Sequence, residues 1–191
     1  MTNGIIIVCK GKDFTSADVV AKMRGICRQR KIGHTGTLDP NATGVLPICL
    51  GNATRLCDML TDQSKEYEAE LELGKTSDTQ DIWGQILTCS QAWKTLTIEQ
   101  IRETVSGFQG AYEQMPPMYS AIKQNGVRLY ELAREGKEVE RASRTVTIYQ
   151  ITILKMELPY IRLRASCSKG TYIRTLCHDI GERLGCGAVM T

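Results

Sequence analysis

One carboxylate in this sequence is conspicuous for its surroundings. Asp39 lies in the middle of residues 33–47, GHTGTLDPNATGVLP, where Gly33, Gly36, Gly44, Pro40 and Pro47 interrupt the chain too often for a helix or a central strand. The stretch reads as a shaped loop. Just upstream, Arg24, Arg28, Arg30 and Lys31 form a basic cluster suited to phosphate groups. A carboxylate beside a phosphate-binding surface repels the ligand, so it is kept for one of two reasons. Asp before Pro is a common turn former, and a reaction can need a nucleophile or base at that point. The local pattern leaves both open.

Other chemistries find little support. The cysteines Cys9, Cys27, Cys49, Cys57, Cys89, Cys167, Cys177 and Cys186 lie mostly inside apolar runs with no C-x-x-C pair, which reads as buried free thiols and not a disulfide framework. With His34 and His178 the only histidines, no metal site is expected. GHTGTLDPNATG lacks the Gly-Lys-Ser/Thr of a phosphate loop, so no nucleotide cofactor is expected either.

Composition permits a nucleic-acid partner without requiring one. The 191 residues are 42% hydrophobic and 24% charged, ordinary for a globular domain, with a formal net charge of only +3. No apolar run approaches bilayer length, and GIIIVC at residues 4–9 is too short for a signal peptide. The expectation is a cytoplasmic protein with no membrane span.

Several elements must position the loop. Residues 4–9 read as a buried strand. From Ser16, a plausible N-cap, SADVVAKMRGICRQR places Val19, Val20, Met23, Ile26 and Cys27 on one helical face, with Lys22, Arg24 and Arg28 on the polar side. Residues 53–60 suit a short helix. Tyr67, Ala69, Leu71 and Leu73 alternate with Glu66, Glu68, Glu70 and Glu72, a half-buried strand with an acidic outer face, and IWGQILT reads as its antiparallel return. Taken alone, Tyr67 is a core tyrosine, and Asp78 and Asp81 are turn residues. Thr97 and Gln100 form a capping box for a helix burying Ile98, Ile101 and Val105. Asn125-Gly126 is a turn, followed by helical spacing at Leu129, Leu132 and Ala133. Residues 146–156 and 160–167 are strands, and Thr171 can cap a last helix with Ile173, Leu176, Cys177 and Ile180 inward. Tyr172 and Arg174 stand at its start. An arginine there opposes the helix dipole, so a nearby partner is wanted.

Four blocks, taken in order, resemble the TruB family of pseudouridine synthases: GHTGTLDPNATGVLP, KEYEAELELGKTSDTQDIWGQI, PPMYSAIKQNGVRLYELAREG and SKGTYIRTLCHDIGERLG. The resemblance implies isomerisation of uridine to pseudouridine in the T-loop of tRNA, at position 55. Asp39 takes the catalytic position of the family, as nucleophile or as base. His34 falls where the flipped base leaves its stack, Tyr67 lies against the target base, and Tyr172 and Arg174 also fall among the substrate-binding positions, with Arg174 the family's partner to the catalytic aspartate. Gly11 stands where the family usually has proline in a Lys-Pro-x-Gly pattern. Residues 116–145 correspond to an insertion that closes on RNA, and their bases Lys123, Arg128, Arg134, Lys137, Arg141 and Arg144 suit that use. The family continues past GCGAVMT into an arginine-rich strand and a PUA-type RNA-binding module, so a truncated chain is expected.

The expected fold is α+β, similar to the pseudouridine synthases, with a largely antiparallel sheet and flanking helices over residues 1–191 as one catalytic domain. The expected partner is tRNA and the expected state a monomer. A non-catalytic RNA-binding or tRNA-folding factor of the same fold is the alternative, with a protein-interaction domain further off.

Overall fold

The computed structural model describes Thr2 to Thr191. The chain divides into two compact units, Met1–Gln63 and Ser64–Thr191. In the first, strand β1 (Gly4–Lys10) is followed by helix α1 (Ser16–Cys27), strands β2 (Ile32–His34) and β3 (Gly44–Leu50), a 3-10 turn at Gly51–Leu56 and helix α2 (Cys57–Thr61). The strands form an antiparallel sheet in the order β1-β3-β2. Alternation turns Leu46, Ile48 and Leu50 to one face, where they pack with Ile32 against Val19 and Val20 of α1, with Val8, Met23 and Cys27 at the margin.

Three expectations need correction here. The 4–9 strand exists but is not buried, since Ile5 and Ile7 are 44% and 64% exposed. It lies at the sheet edge, and α1 covers only the face that carries Val8. Ile26 is 67% exposed because α1 presents a narrower apolar stripe than its sequence suggests. The loop is also shorter than residues 33–47, for Pro47 sits within the central strand β3, opposite Ile7. It is tolerated there because its carbonyl faces β2 and accepts from Thr35 N at 3.2 Å, just past the end of that strand. In an antiparallel ladder a residue's N and O point to the same neighbour, so the donor that proline lacks falls where the β2 ladder has ended.

The second unit opens with β4 (Lys65–Leu73), β5 (Lys75–Ser77) and β6 (Ile86–Cys89), then a 3-10 turn at Ala92–Thr95, helix α3 (Ile98–Ser106) and β7 (Gly110–Gln114). Next come β8 (Lys123–Gln124), β9 (Val127–Arg128), helix α4 (Leu129–Arg134), the long β10 (Arg144–Glu157), β11 (Tyr160–Cys167), helix α5 (Ile173–Arg183) and β12 (Ala188–Met190). Its main sheet runs β12-β4-β11-β10-β7, antiparallel throughout. The alternation of β4 is as expected: Leu71 and Leu73 are buried, with Tyr67 and Ala69 packed beside them. Its partner is not. β4 pairs with β11 and β12, while β6 pairs with β5 in a separate two-stranded sheet. Opposite each acid of β4 the register sets a residue of β11, so Glu68 takes Arg162 at 2.8 Å and Arg164 at 2.6 Å. A cross-strand charge match of this kind favours the distant strand over the adjacent one.

Helices α3 and α5 cover the apolar face, with Ile101, Val105, Leu176, Cys177 and Ile180 meeting Leu71, Ile161 and Leu163. The Thr97–Gln100 capping box is present, but Ile98 in the first turn is 51% exposed. At the far end of α5 the chain doubles back so tightly that a Cβ on Gly181 would lie 2.1 Å from Ala188 N, which no side chain allows. The Asn125-Gly126 turn has φ of 52° and 85°, as a two-residue hairpin requires. The cysteines are free: Cys49, Cys167, Cys177 and Cys186 are buried, Cys27 and Cys57 partly so, and Cys9 and Cys89 exposed. Burial pushes the Cys49 thiol up to about 11 and the Cys177 thiol up to about 12. Among the described residues no helix is long and apolar enough to cross a membrane.

One acid on α5 is half-buried against this core. Burial raises the Asp179 carboxyl to about 6, against the pull of His178 and Arg183 and with help from Glu182. Its folded value lies above its unfolded 3.8, so the folded chain holds the extra proton between these limits and loses stability as pH rises through them. The full effect is at most about 3 kcal/mol, less what solvent screens. Asp179→Asn should remove this slope, raising stability at pH 7 relative to the parent. Urea midpoints at steps from pH 4 to pH 7 check it, and parallel curves would show that the acid is not strained.

Candidate functional site

Asp39 lies between two fixed points. Before it, Leu38 N donates to the buried Ser16 hydroxyl at 3.0 Å. This engagement is why Ser16 is not the cap of α1, a role that passes to Thr15, whose hydroxyl accepts from Asp18 N while the Asp18 carboxylate takes Thr15 N. After it, the Pro40 carbonyl accepts from Asp13 N at 2.9 Å and from Lys10 Nζ at 3.1 Å. The Asp39 carbonyl closes a turn by accepting from Ala42 N at 3.0 Å. Asp39 itself stays partly exposed. The turn-forming reading of Asp-Pro is thus correct for the backbone, and it leaves the side chain on a rigid platform.

Lys10, which the sequence reading passed over, is the support of that platform. It is fully buried at the end of β1, on the same side of the strand as Val8, and its ammonium also donates to Gly11 O at 2.9 Å and Phe14 O at 2.6 Å. Burial lowers its pKa from the ordinary lysine value, and the Asp39 and Asp13 carboxylates pull it back up. The signal was its register: Ile6, Val8 and Lys10 share a face, so a lysine there must turn inward. His34 closes β2, and its Nδ1 accepts from Gly36 N at 3.4 Å. His34 and Asp39 therefore belong to the first unit, His34 where the loop leaves β2 and Asp39 at the middle of that loop.

The other three candidates belong to the second unit. Tyr67 lies on the apolar side of β4, opposite Ala165. Tyr172 is the N-cap of α5 without a side-chain cap, and Thr171, the expected cap, instead donates to Ser168 O at 2.9 Å. Arg174 is buried in the first turn of α5. Its Nη1 donates to Thr79 O at 3.1 Å and stands 3.6 Å from Asp81 Oδ2, while Nη2 donates to Tyr119 O at 3.0 Å. The partner that helix electrostatics demanded thus includes Asp81, read from sequence as a turn residue. It is one: its other oxygen holds Thr79 Oγ1 at 2.7 Å and Trp83 N at 3.1 Å. Next to Arg174, Thr175 Oγ1 donates to Gln80 Oε1 at 2.7 Å, so residues 79–81 are sewn to α5 by two consecutive side chains.

In the 116–145 stretch, Lys137 pairs with Glu135 at 2.8 Å and Arg141 with Glu138 at 3.3 Å. Arg128 and Arg134 both stack near the Tyr130 ring. The charge there is therefore partly neutralised within the segment.

This α+β arrangement is of the pseudouridine synthase kind. It is similar to the "Crystal Structure of a Cbf5-Nop10-Gar1 Complex" (TM-score 0.75, 34% identity, 98% of this chain and 46% of that one). It is also similar to the "Structure of H/ACA RNP bound to a substrate RNA containing 2'-deoxyuridine" (TM-score 0.71, 30% identity, 98% and 45%). Residues 24–173 match the family model described as TruB family pseudouridylate synthase (N terminal domain), and the chain belongs to that family. The tRNA pseudouridine synthase B of Clostridium acetobutylicum is 52% identical over 188 residues, covering 98% of this chain. The chain spans 64% of that relative's length.

Two substitutions test the buried cations. Lys10→Met takes the ammonium from three carbonyls, of which Pro40 O keeps Asp13 N while Gly11 O and Phe14 O lose this donor, and an acceptor left unmade costs about 1–3 kcal/mol. Chemical denaturation should show a loss of that size or more, and an unchanged midpoint would mean that the ammonium does not support the loop. In Arg174→Lys one compact ammonium on a shorter stem replaces the two guanidinium nitrogens aimed separately at Thr79 O and Tyr119 O, so a loss of about 1–3 kcal/mol is expected despite the retained charge. Equal unfolding curves for parent and lysine variant would sink that account.

Proposed function

We propose that this chain is the catalytic portion of a tRNA pseudouridine synthase, converting uridine to pseudouridine at position 55 of the T-loop. The 52% identity to a tRNA pseudouridine synthase B over 98% of the chain carries this reading. The Asp39 platform supports it, because a loop fixed on both sides of one carboxylate suits a group that must meet its target in a defined geometry. The protein would act as a monomer in the cytoplasm, with no cofactor.

The reaction breaks the glycosidic bond between N1 and the ribose C1′, turns the uracil and joins its C5 to C1′, with the C5 proton released and a proton taken up at N1. Nothing is oxidised and no group is added. A base inside a folded loop must first leave its stack, at a cost of a few kcal/mol, and aromatic side chains repay part of this by stacking. Tyr67 and Tyr172 take that role, with His34 at the vacated position and Arg174 binding substrate. Asp39 acts as nucleophile toward the uracil or C1′, or as a base toward the ribose; both routes need its ionised carboxylate. The bases of residues 116–145 contribute phosphate contacts.

Asp39→Asn is isosteric but is neither nucleophile nor base. On a T-loop stem-loop with tritium at uracil C5, the parent should release label while the variant stays at background and keeps its affinity within a few fold. Release by the variant at the parental rate would remove Asp39 from the chemistry. A parent that binds the RNA and releases nothing would favour the RNA-folding alternative.

A further inference from the structure

Gln114, the last residue of β7, is only 1% exposed, and both ends of its amide go to one residue of another element. Oε1 accepts from Tyr172 N at 2.8 Å, and Nε2 donates to Tyr172 O at 3.0 Å. Nε2 also touches the Tyr112 hydroxyl. A primary amide offers the same donor and acceptor as a peptide group, so Gln114 holds Tyr172 as a neighbouring strand would. Tyr172 has the extended backbone that this requires, φ −96° and ψ 109°.

The position of the clamp gives it significance beyond stability. α5 has no side-chain cap, so Gln114 supplies a hold on its N-terminus from outside the helix. Two of the candidate substrate-binding side chains leave the backbone within this turn, one at Tyr172 and one at Arg174. Gln114 is followed by Met115, Pro116 and Pro117, and the stretch then delivers the Tyr119 carbonyl to Arg174. One piece of chain therefore grips the backbone of the first residue and the side chain of the second. A buried amide is costly unless satisfied, and here the satisfaction is spent on one point of the helix start.

We infer that Gln114 is a positioning residue, setting the backbone of Tyr172 and through it the placement of Tyr172 and Arg174 toward RNA. The inference rests on the proposed function for what those side chains bind, and its test separates the two. Amide hydrogen exchange reads the clamp without chemistry. In Gln114→Ala the Tyr172 amide should lose protection by about tenfold or more while β11 keeps its own; equal protection at Tyr172 overturns the clamp. On the T-loop stem-loop, the single-turnover rate at saturating RNA should fall on the order of a hundredfold with affinity nearly kept.

Gln114→Glu supplies a second reading should the alanine variant fold poorly. A protonated carboxyl reproduces the donor and acceptor pair, whereas the carboxylate repels the Tyr172 carbonyl. Its rate should therefore recover as pH falls through the pKa of the new, buried acid, and the parent should show no such rise. A glutamate variant as fast as the parent at every pH refutes the positioning role. A parent inert toward the RNA refutes the functional reading instead, and hydrogen exchange in both variants still decides the clamp.

Discussion

A cation taken out of water must be met by oxygen, and in each unit that requirement falls on one side chain. Lys10 collects the carbonyls of Gly11, Phe14 and Pro40, and Arg174 collects those of Thr79 and Tyr119 with the Asp81 carboxylate nearby. The oxygens belong to loops that have little regular structure of their own. Turning them inward toward a charge gives each loop one geometry in which the cation is satisfied, and any other geometry leaves it stranded. In this way irregular segments acquire the definition that strands obtain from their ladders.

The same requirement explains what could and could not be read from sequence. Elements governed by local pattern were legible: the alternation of β4 and β11, the Thr97 capping box, the Asn125-Gly126 turn and the buried stripe of α5 each declare themselves within a few residues. Pairing was not, because nothing local to residues 65–88 says that β4 prefers β11, nearly a hundred residues on, to the adjacent β6. The complementary spacing of Glu68 with Arg162 and Arg164 carries that information only once the two strands are compared. Candidate site residues were found largely through family likeness. Lys10 and Gln114, which hold them, were missed because they act on backbone atoms, and a backbone atom leaves no letter in the sequence; Asp81 was legible as a turn residue, but its ion pair joins it to Arg174, more than ninety residues on.

The capping of the two longest helices illustrates how such bonds redistribute roles. Ser16 and Thr171 both look like caps by type and position. Each is occupied elsewhere, Ser16 with Leu38 N and Thr171 with Ser168 O, so α1 is capped one residue earlier and α5 begins at a tyrosine. Gly11 fits the same pattern. The turn that a proline would stiffen is instead held by the Lys10 ammonium, which bonds the carbonyl of Gly11 itself.

The uneven exposure of the cysteines has a practical side. The thiols with strongly raised pKa values, Cys49 and Cys177, are also the ones without access to solvent, so neither would react with a maleimide at neutral pH. The two exposed thiols fall one in each unit, Cys9 in the first and Cys89 in the second. With the partly buried Cys27 and Cys57 replaced by serine, a donor and an acceptor dye could be attached at these native positions without introducing a new cysteine.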